Sequence, residues 1–329
     1  MPPHTPRVSR ACKRPASSQQ GSQLHADSRI GELLEEESNS RRCNDQVAFE
    51  TSAQPYQLSL WRNRVAQWCY DIVDHLNAPR DTVYLAMNFL DRSVAYAMME
   101  GMITKEEYEL SSITCLFLGL RVSTKADLKI GDLLQICQSR LQVKDIQANG
   151  SRLLNKLALK TPMISPSTFA RCYLNLLQSS LSPGAVLSLL EMACYLVELS
   201  VCDQFFAFVP SSKLAFAAVC VCVTSEQSGL QLNPTTLQSF KQELEEHTRL
   251  SLESSEIKPL YERLLDIYKQ SSDYTDSGSP NLIVDDAELP KETCCRESTE
   301  SLIGLLPWTP SISILSGLAK RPEKRARLL

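Results

Sequence analysis

Glycine is scarce, with only 11 in 329 residues, and the sequence contains no glycine-rich phosphate loop and no G-x-S-x-G element. Nucleotide cradles of the P-loop type and serine-hydrolase elbows are therefore excluded. The opening stretch MPPHTPRVSRACKRPASSQQ lacks the apolar core of a secretory signal. Leu214 to Val223, the longest strongly apolar run, is too short to cross a bilayer. A strong charge of either sign is missing too. With 34 basic against 38 acidic residues and a net charge of -4, no global field favours nucleic acid or an anionic membrane.

Histidine and cysteine clusters with metal-ligand spacing are also lacking. Asp71 with His75, and Glu243 with His247, each stand four apart, but neither pair has further His or Cys ligands nearby, and Cys294 and Cys295 are adjacent rather than two apart. These are ordinary surface pairs on helices. Neither a metal nor another cofactor is expected, and nothing argues for catalysis. Most of the 12 cysteines fall inside apolar helical patterns, where a free thiol behaves as a small hydrophobe. The expectation is a soluble, reduced, intracellular chain.

What is present is helical periodicity, in a chain long enough for two domains plus tails. Residues 1–28 are polar and rich in Ser, Gln and Pro, a composition that predicts a disordered tail. Residues 29–57 are weakly patterned and allow one short helix with a linker. From Trp61 to Leu76 apolar residues recur at steps of three and four, and Asn77 with Pro79 closes the segment. A second helix is predicted from an N-cap at Asp81 to about Met98. A third opens on a capping box, Thr104 with Glu107, and its stretch Ile113 to Leu120 is apolar on nearly every side. Such a helix has no solvent face and needs neighbours all round. Helices at about 126–138 and 143–159 complete a first block.

The layout then repeats. Ser165 with Pro166 and Ser182 with Pro183 start two helices, and Pro210 opens a third, again apolar all round from Leu214 to Val223. Asn233 with Pro234 starts a fourth, and Ser255 to Gln270 supplies a fifth. The fold class read from this pattern is all-α: two tandem five-helix bundles over 58–162 and 163–270, each around a central rod, with tails at both ends. Residues 271–329 read as a disordered tail that ends in the basic cluster Lys320, Arg321, Lys324, Arg325 and Arg327. That cluster fits a nuclear-import signal, and Ser279-Pro280 and Thr309-Pro310 fit proline-directed phosphorylation.

At this point the sequence resembles the cyclin box. The likeness lies in Arg62 six residues before Trp68, in YLAMNFLDR at 84–92, in LGLRVST at 118–124, which looks like the family's LASKFEE, and in ELSVCDQFFAFVPSSKLAFAAV at 198–219. It implies two cyclin folds and a non-enzymatic subunit that binds and activates a cyclin-dependent protein kinase in cell-cycle control. Kinase substrates are further partners that the likeness implies, and the expected location is nuclear, cytoplasmic or both. Nucleic acid is not an expected partner, and the rival reading is a transcription-factor form of the same fold that binds DNA or other proteins.

The resemblance also assigns residues. Arg62 and Asp91 border the apolar stripes of two helices, so an ion pair across their interface is expected. In the family a Lys at the end of the third helix and a Glu in the fifth grip the kinase backbone; the matching positions are Arg121 and Ser151, and both depart from the pattern. Arg keeps charge and donors, whereas Ser brings no charge. The substrate-docking patch of the family maps to Trp61, Val65, Trp68 and Glu109, with Arg64 in place of an aliphatic residue; core and rim packing is the other reading of those side chains.

Overall fold

The structure, a computed structural model, describes residues 29–39, 55–124, 128–157, 163–224 and 232–271. Among them all regular structure is helical, with no strand. Residues 29–39 form α1. The first block consists of α2 (Pro55–His75), α3 (Asp81–Glu100), α4 (Lys105–Ser123), α5 (Ile130–Ile136) and α6 (Val143–Leu157). The second consists of α7 (Pro166–Asn175), α8 (Pro183–Val201), α9 (Ser211–Thr224), α10 (Pro234–Thr248) and α11 (Lys258–Gln270), with 3-10 turns at Leu176–Ser179 and Gln204–Phe206.

Local chemistry accounts for several helix ends. Thr104 Oγ1 accepts from the Glu107 N–H while Glu107 accepts from the Thr104 N–H, a full capping box. Ser165, Ser182 and Asn233 cap α7, α8 and α10, each followed by proline in the first turn. Asn77 takes the left-handed φ of 51° that releases the chain after α2, a conformation asparagine tolerates. Asp81 departs from the expected cap: Arg80 holds the N-cap position, and Asp81 is the first helical residue. Its carboxylate is committed elsewhere, as described below. The predicted helix at 126–138 is shorter, Ile130–Ile136, and α2 begins six residues before Trp61 because Pro55 supplies a compatible first turn.

Two buried apolar clusters follow the two blocks. In the first, α4 lies against α3 in the most extensive helix pair among the described residues. Gly119 permits that closeness, since a Cβ there would sit 3.1 Å from the Thr82 carbonyl oxygen and 3.2 Å from the Ala86 Cβ. In the second, α9 is enclosed along its length: every residue from Leu214 to Val223 is buried, among α7, α8 and α11. The rod of the first block is covered less completely, because Phe117 and Leu118 are only half-buried.

Two placements were not legible beforehand. Helix α1 precedes the first block but belongs to the core of the second, where Ile30 and Leu33 are fully buried beside Phe169 and Tyr173. Glu37, at its C-terminal end, accepts hydrogen bonds from the backbone N–H and hydroxyl of Ser212 at the start of α9. Second, α8 has 19 residues with a mean hydropathy of 1.6, long and apolar enough to cross a bilayer by composition. Its apolar side, including Val186, Leu189, Ala193 and Leu196, is buried in the second core.

Candidate functional site

Arg62 sits on the face of α2 turned toward α3 and is buried, 3% exposed. Its Nε donates to Asp91 Oδ1 at 2.8 Å and its Nη2 to Oδ2 at 2.9 Å, a bidentate pair with both side chains 4% exposed. The remaining nitrogen, Nη1, donates 2.7 Å to the carbonyl of Val201, the last residue of α8. One guanidinium thus joins two helices of the first block to the negative end of a helix in the second. Burial lifts the Asp91 carboxyl above its ordinary value, with the Arg62 charge pulling the other way. For Arg62 burial opposes the charge, but the Asp91 carboxylate wins and the guanidinium is raised.

More polar contacts hold the same junction. Arg80 Nε donates to Glu198 Oε2 at 2.8 Å, its Nη1 donates to Asp74 at 2.6 Å, and its guanidinium stands 4.5 Å from the centre of the Tyr70 ring. Tyr70 in turn donates its hydroxyl to the Glu198 carbonyl. Asp81 accepts from Ser165 Oγ at 2.9 Å and from Ser167 Oγ at 2.6 Å, which ties the start of α3 to the start of α7. Sequence reasoning missed this group. The Ser-Pro-Ser run at 165–167 marked a helix start but gave no hint of its partner. A cleft between the blocks, lined by Arg62, Tyr84, Met87, Asn88 and Leu214, has room for one water, about 10 Å³, far below the size of a cofactor site.

The second feature is the open side of α4. Leu118, Arg121 and Val122 stand at i, i+3 and i+4 and share one face, where Arg121 is exposed and Val122 is 59% exposed. Helix α6 packs beside α4, fixed by Asn149 Nδ2 donating to Thr114 Oγ1 at 3.1 Å. It presents Ser151, Leu154 and Asn155 on one outer face, with Leu154 45% exposed. This surface combines exposed aliphatic groups with a cation at the last turn of α4, and no carboxylate stands at position 151.

The expected docking patch is placed differently from an open groove. Val65 and Trp68 are 3% and 5% exposed and belong to the first core, because the α2 stripe turns them toward α3 and α4. Trp61 is half-buried, with its ring centre 5.2 Å from that of Tyr108 on α4, and Glu109, the residue after Tyr108, is half-buried too. Only Trp61 and Glu109 of the four retain outward surface. The basic cluster Lys320, Arg321, Lys324, Arg325 and Arg327, with Ser279-Pro280 and Thr309-Pro310, lies outside the described residues. Asp71 and His75 are exposed on α2, and among the described residues no three His, Cys, Asp or Glu side chains gather as ligands.

Two tandem helical bundles, each around a central rod, with a buried arginine of the first reaching the end of a helix in the second, define a protein of the two-repeat cyclin architecture. The family model described as Cyclin, N-terminal domain matches residues 29–161, and that described as Cyclin, C-terminal domain matches residues 164–277. The chain belongs to the cyclin family. Among curated proteins it is similar to Cyclin-A2-1 of Arabidopsis thaliana, with 22% identity over 53% of this chain and 38% of that one. Cyclin-A2-2 of the same plant is 22% identical over 60% of this chain and 44% of its own length. G2/mitotic-specific cyclin-A1 of Caenorhabditis elegans is 24% identical over 48% of this chain and 31% of its own. The alignments thus span less than half the length of each of these relatives.

Proposed function

We propose that this chain is a non-catalytic regulatory subunit that binds a cyclin-dependent protein kinase and favours its active state, in control of the cell cycle. The observation that carries the reading is the contrast between the two rods: α9 is enclosed, whereas α4 keeps Phe117, Leu118 and Val122 partly or largely uncovered next to Arg121. An apolar face on a rigid core helix suits docking of a partner helix in a groove. Activation follows if the kinase's regulatory helix is bound better in its active position, where the kinase's own Lys-Glu pair forms, than in its inactive one. Arg121 donates to exposed carbonyls of the partner, and Ser151, being neutral, contributes less than a carboxylate would. The names of the relatives, one of them G2/mitotic-specific, support the cell-cycle setting.

Two lesser elements complete the proposal. Trp61 and Glu109 supply a small docking surface for kinase substrates, and the basic cluster from Lys320 to Arg327 directs the chain to the nucleus from the cytoplasm.

The test is reconstitution with a set of purified cyclin-dependent kinases and a histone substrate. One of them should bind and gain activity, and Val122→Glu with Leu154→Glu should weaken binding by about 30-fold or more, the range of interface hot spots. Circular dichroism should stay unchanged, since both positions are exposed. Full activation by the doubly substituted chain, or failure to bind any kinase of the class, would overturn the reading.

A further inference from the structure

Two Ser-Pro dipeptides occur among the described residues, Ser165-Pro166 and Ser182-Pro183. Locally they are alike. Each serine is an N-cap with extended backbone, φ -74° and ψ 152° at Ser165, φ -68° and ψ 150° at Ser182, and each hydroxyl oxygen accepts from the N–H three residues on. Their surroundings differ. Ser165 is 8% exposed, and its hydroxyl donates to Asp81 of the other block. Ser182 is exposed, as are Pro183 and Gly184 after it, and its 3.3 Å bond from the Ala185 N–H stays within its own turn.

We propose that Ser182 is a phosphorylation site for a proline-directed Ser/Thr kinase using ATP. A proline-directed kinase requires a hydroxyl on an extended, accessible strand followed by proline, and Ser182 meets that requirement where Ser165 does not. In the reaction Ser182 Oγ attacks the γ-phosphorus, the bond from that phosphorus to the bridging oxygen of ADP breaks, and the hydroxyl proton passes to the kinase's base.

The consequence follows from position. The added phosphate brings nearly two negative charges and three acceptor oxygens to the first turn of a 19-residue helix, beside backbone N–H groups that have no helical acceptor. It also sits at the positive end of the helix dipole. The opposite end of α8 is the one gripped by Arg62 and Arg80. Phosphorylation therefore stiffens the helix that links the two blocks. This inference does not depend on the identity of the chain's own kinase partner.

The experiment treats the folded full-length chain with a purified proline-directed kinase and Mg-ATP, and maps phosphate by mass spectrometry. The expected result is phosphate on Ser182 and none on Ser165, with Ser165 becoming a substrate only after unfolding in urea. The modified protein should melt about 1–3 °C higher than the unmodified one, and Ser182→Ala, treated in parallel, should not gain that shift. The proposal is overturned if Ser182 in the folded chain stays unmodified while a free peptide covering 176–188 is phosphorylated, or if that peptide too is refused.

Discussion

Arg62 and Val201 stand 139 residues apart in sequence, yet the guanidinium of the first lies 2.7 Å from the carbonyl oxygen of the second. The same guanidinium already pairs with Asp91, so a buried ion pair of the first block is also a fastening for the second.

Arg62→Ala leaves Asp91 buried without its counter-charge and strips the Val201 carbonyl of its donor. We expect a loss of about 3–5 kcal/mol in chemical denaturation, the range for breaking a buried ion pair from one side. The double substitution Arg62→Met with Asp91→Leu should recover much of that loss, because no charge is then stranded. A double mutant as unstable as the single one would contradict this account.

Removing the acceptors of Glu37 is expected to loosen the second block and spare the first. In Glu37→Ala the Ser212 N–H and hydroxyl lose their partner, at a cost of about 1–3 kcal/mol for groups this far buried. Hydrogen exchange should quicken in the first turn of α9 and in α1, with α4 unaffected. Equal acceleration in α4 would show that Glu37 acts on the whole molecule.

Thr104 and Glu107 give a prediction with a pH sign. The Thr104 backbone N–H and hydroxyl hold the Glu107 carboxyl below the usual carboxylate range. A depressed carboxyl contributes stability above its ordinary value of 4.5, and that contribution is lost as pH falls through the lower folded value. Thr104→Ala should cost about 1 kcal/mol at neutral pH, and the carboxyl of Glu107, followed by NMR, should titrate nearer its ordinary value. An unmoved titration would show that the Thr104 hydroxyl has no part in the shift and leave the backbone N–H as its cause.

Thiols withdrawn from water should weaken the fold at alkaline pH. Burial raises Cys137 and Cys220 from 9.0 to about 12 and Cys202 to about 11. The folded chain therefore keeps protons that the unfolded chain releases, so stability is intact below about 9 and declines as pH rises from there toward 12. Each such thiol contributes a slope of about 1.4 kcal/mol per pH unit in that window. Iodoacetamide at pH 8 should leave peptides containing Cys69, Cys115, Cys137 and Cys222 unlabelled until denaturant is added; labelling of Cys115 in the native chain would show an opening that the packing does not predict.

Much of the architecture was written locally. Thr104 with Glu107, Ser165 with Pro166, Ser182 with Pro183 and Asn233 with Pro234 satisfy orphan N–H groups through side chains one turn away, so the sequence alone determined where those helices begin. The same holds for the all-apolar stretch Leu214 to Val223, which has nowhere to go but the centre of a bundle. Even the approach of Arg62 and Asp91 was readable, because both stand beside apolar stripes that must face each other.

What only the tertiary structure decided are contacts whose partners lie far along the chain. Asp81 reads as an N-cap but bonds Ser165 and Ser167, Trp68 reads as core or as docking groove and is core, the reading the sequence favoured, and α1 joins the repeat it does not adjoin. Nothing in the spacing near Arg80 names Glu198, and nothing near Glu37 names Ser212. Periodicity sets which face of a helix is apolar, whereas the neighbour that covers that face is chosen by the shapes of all the others at once.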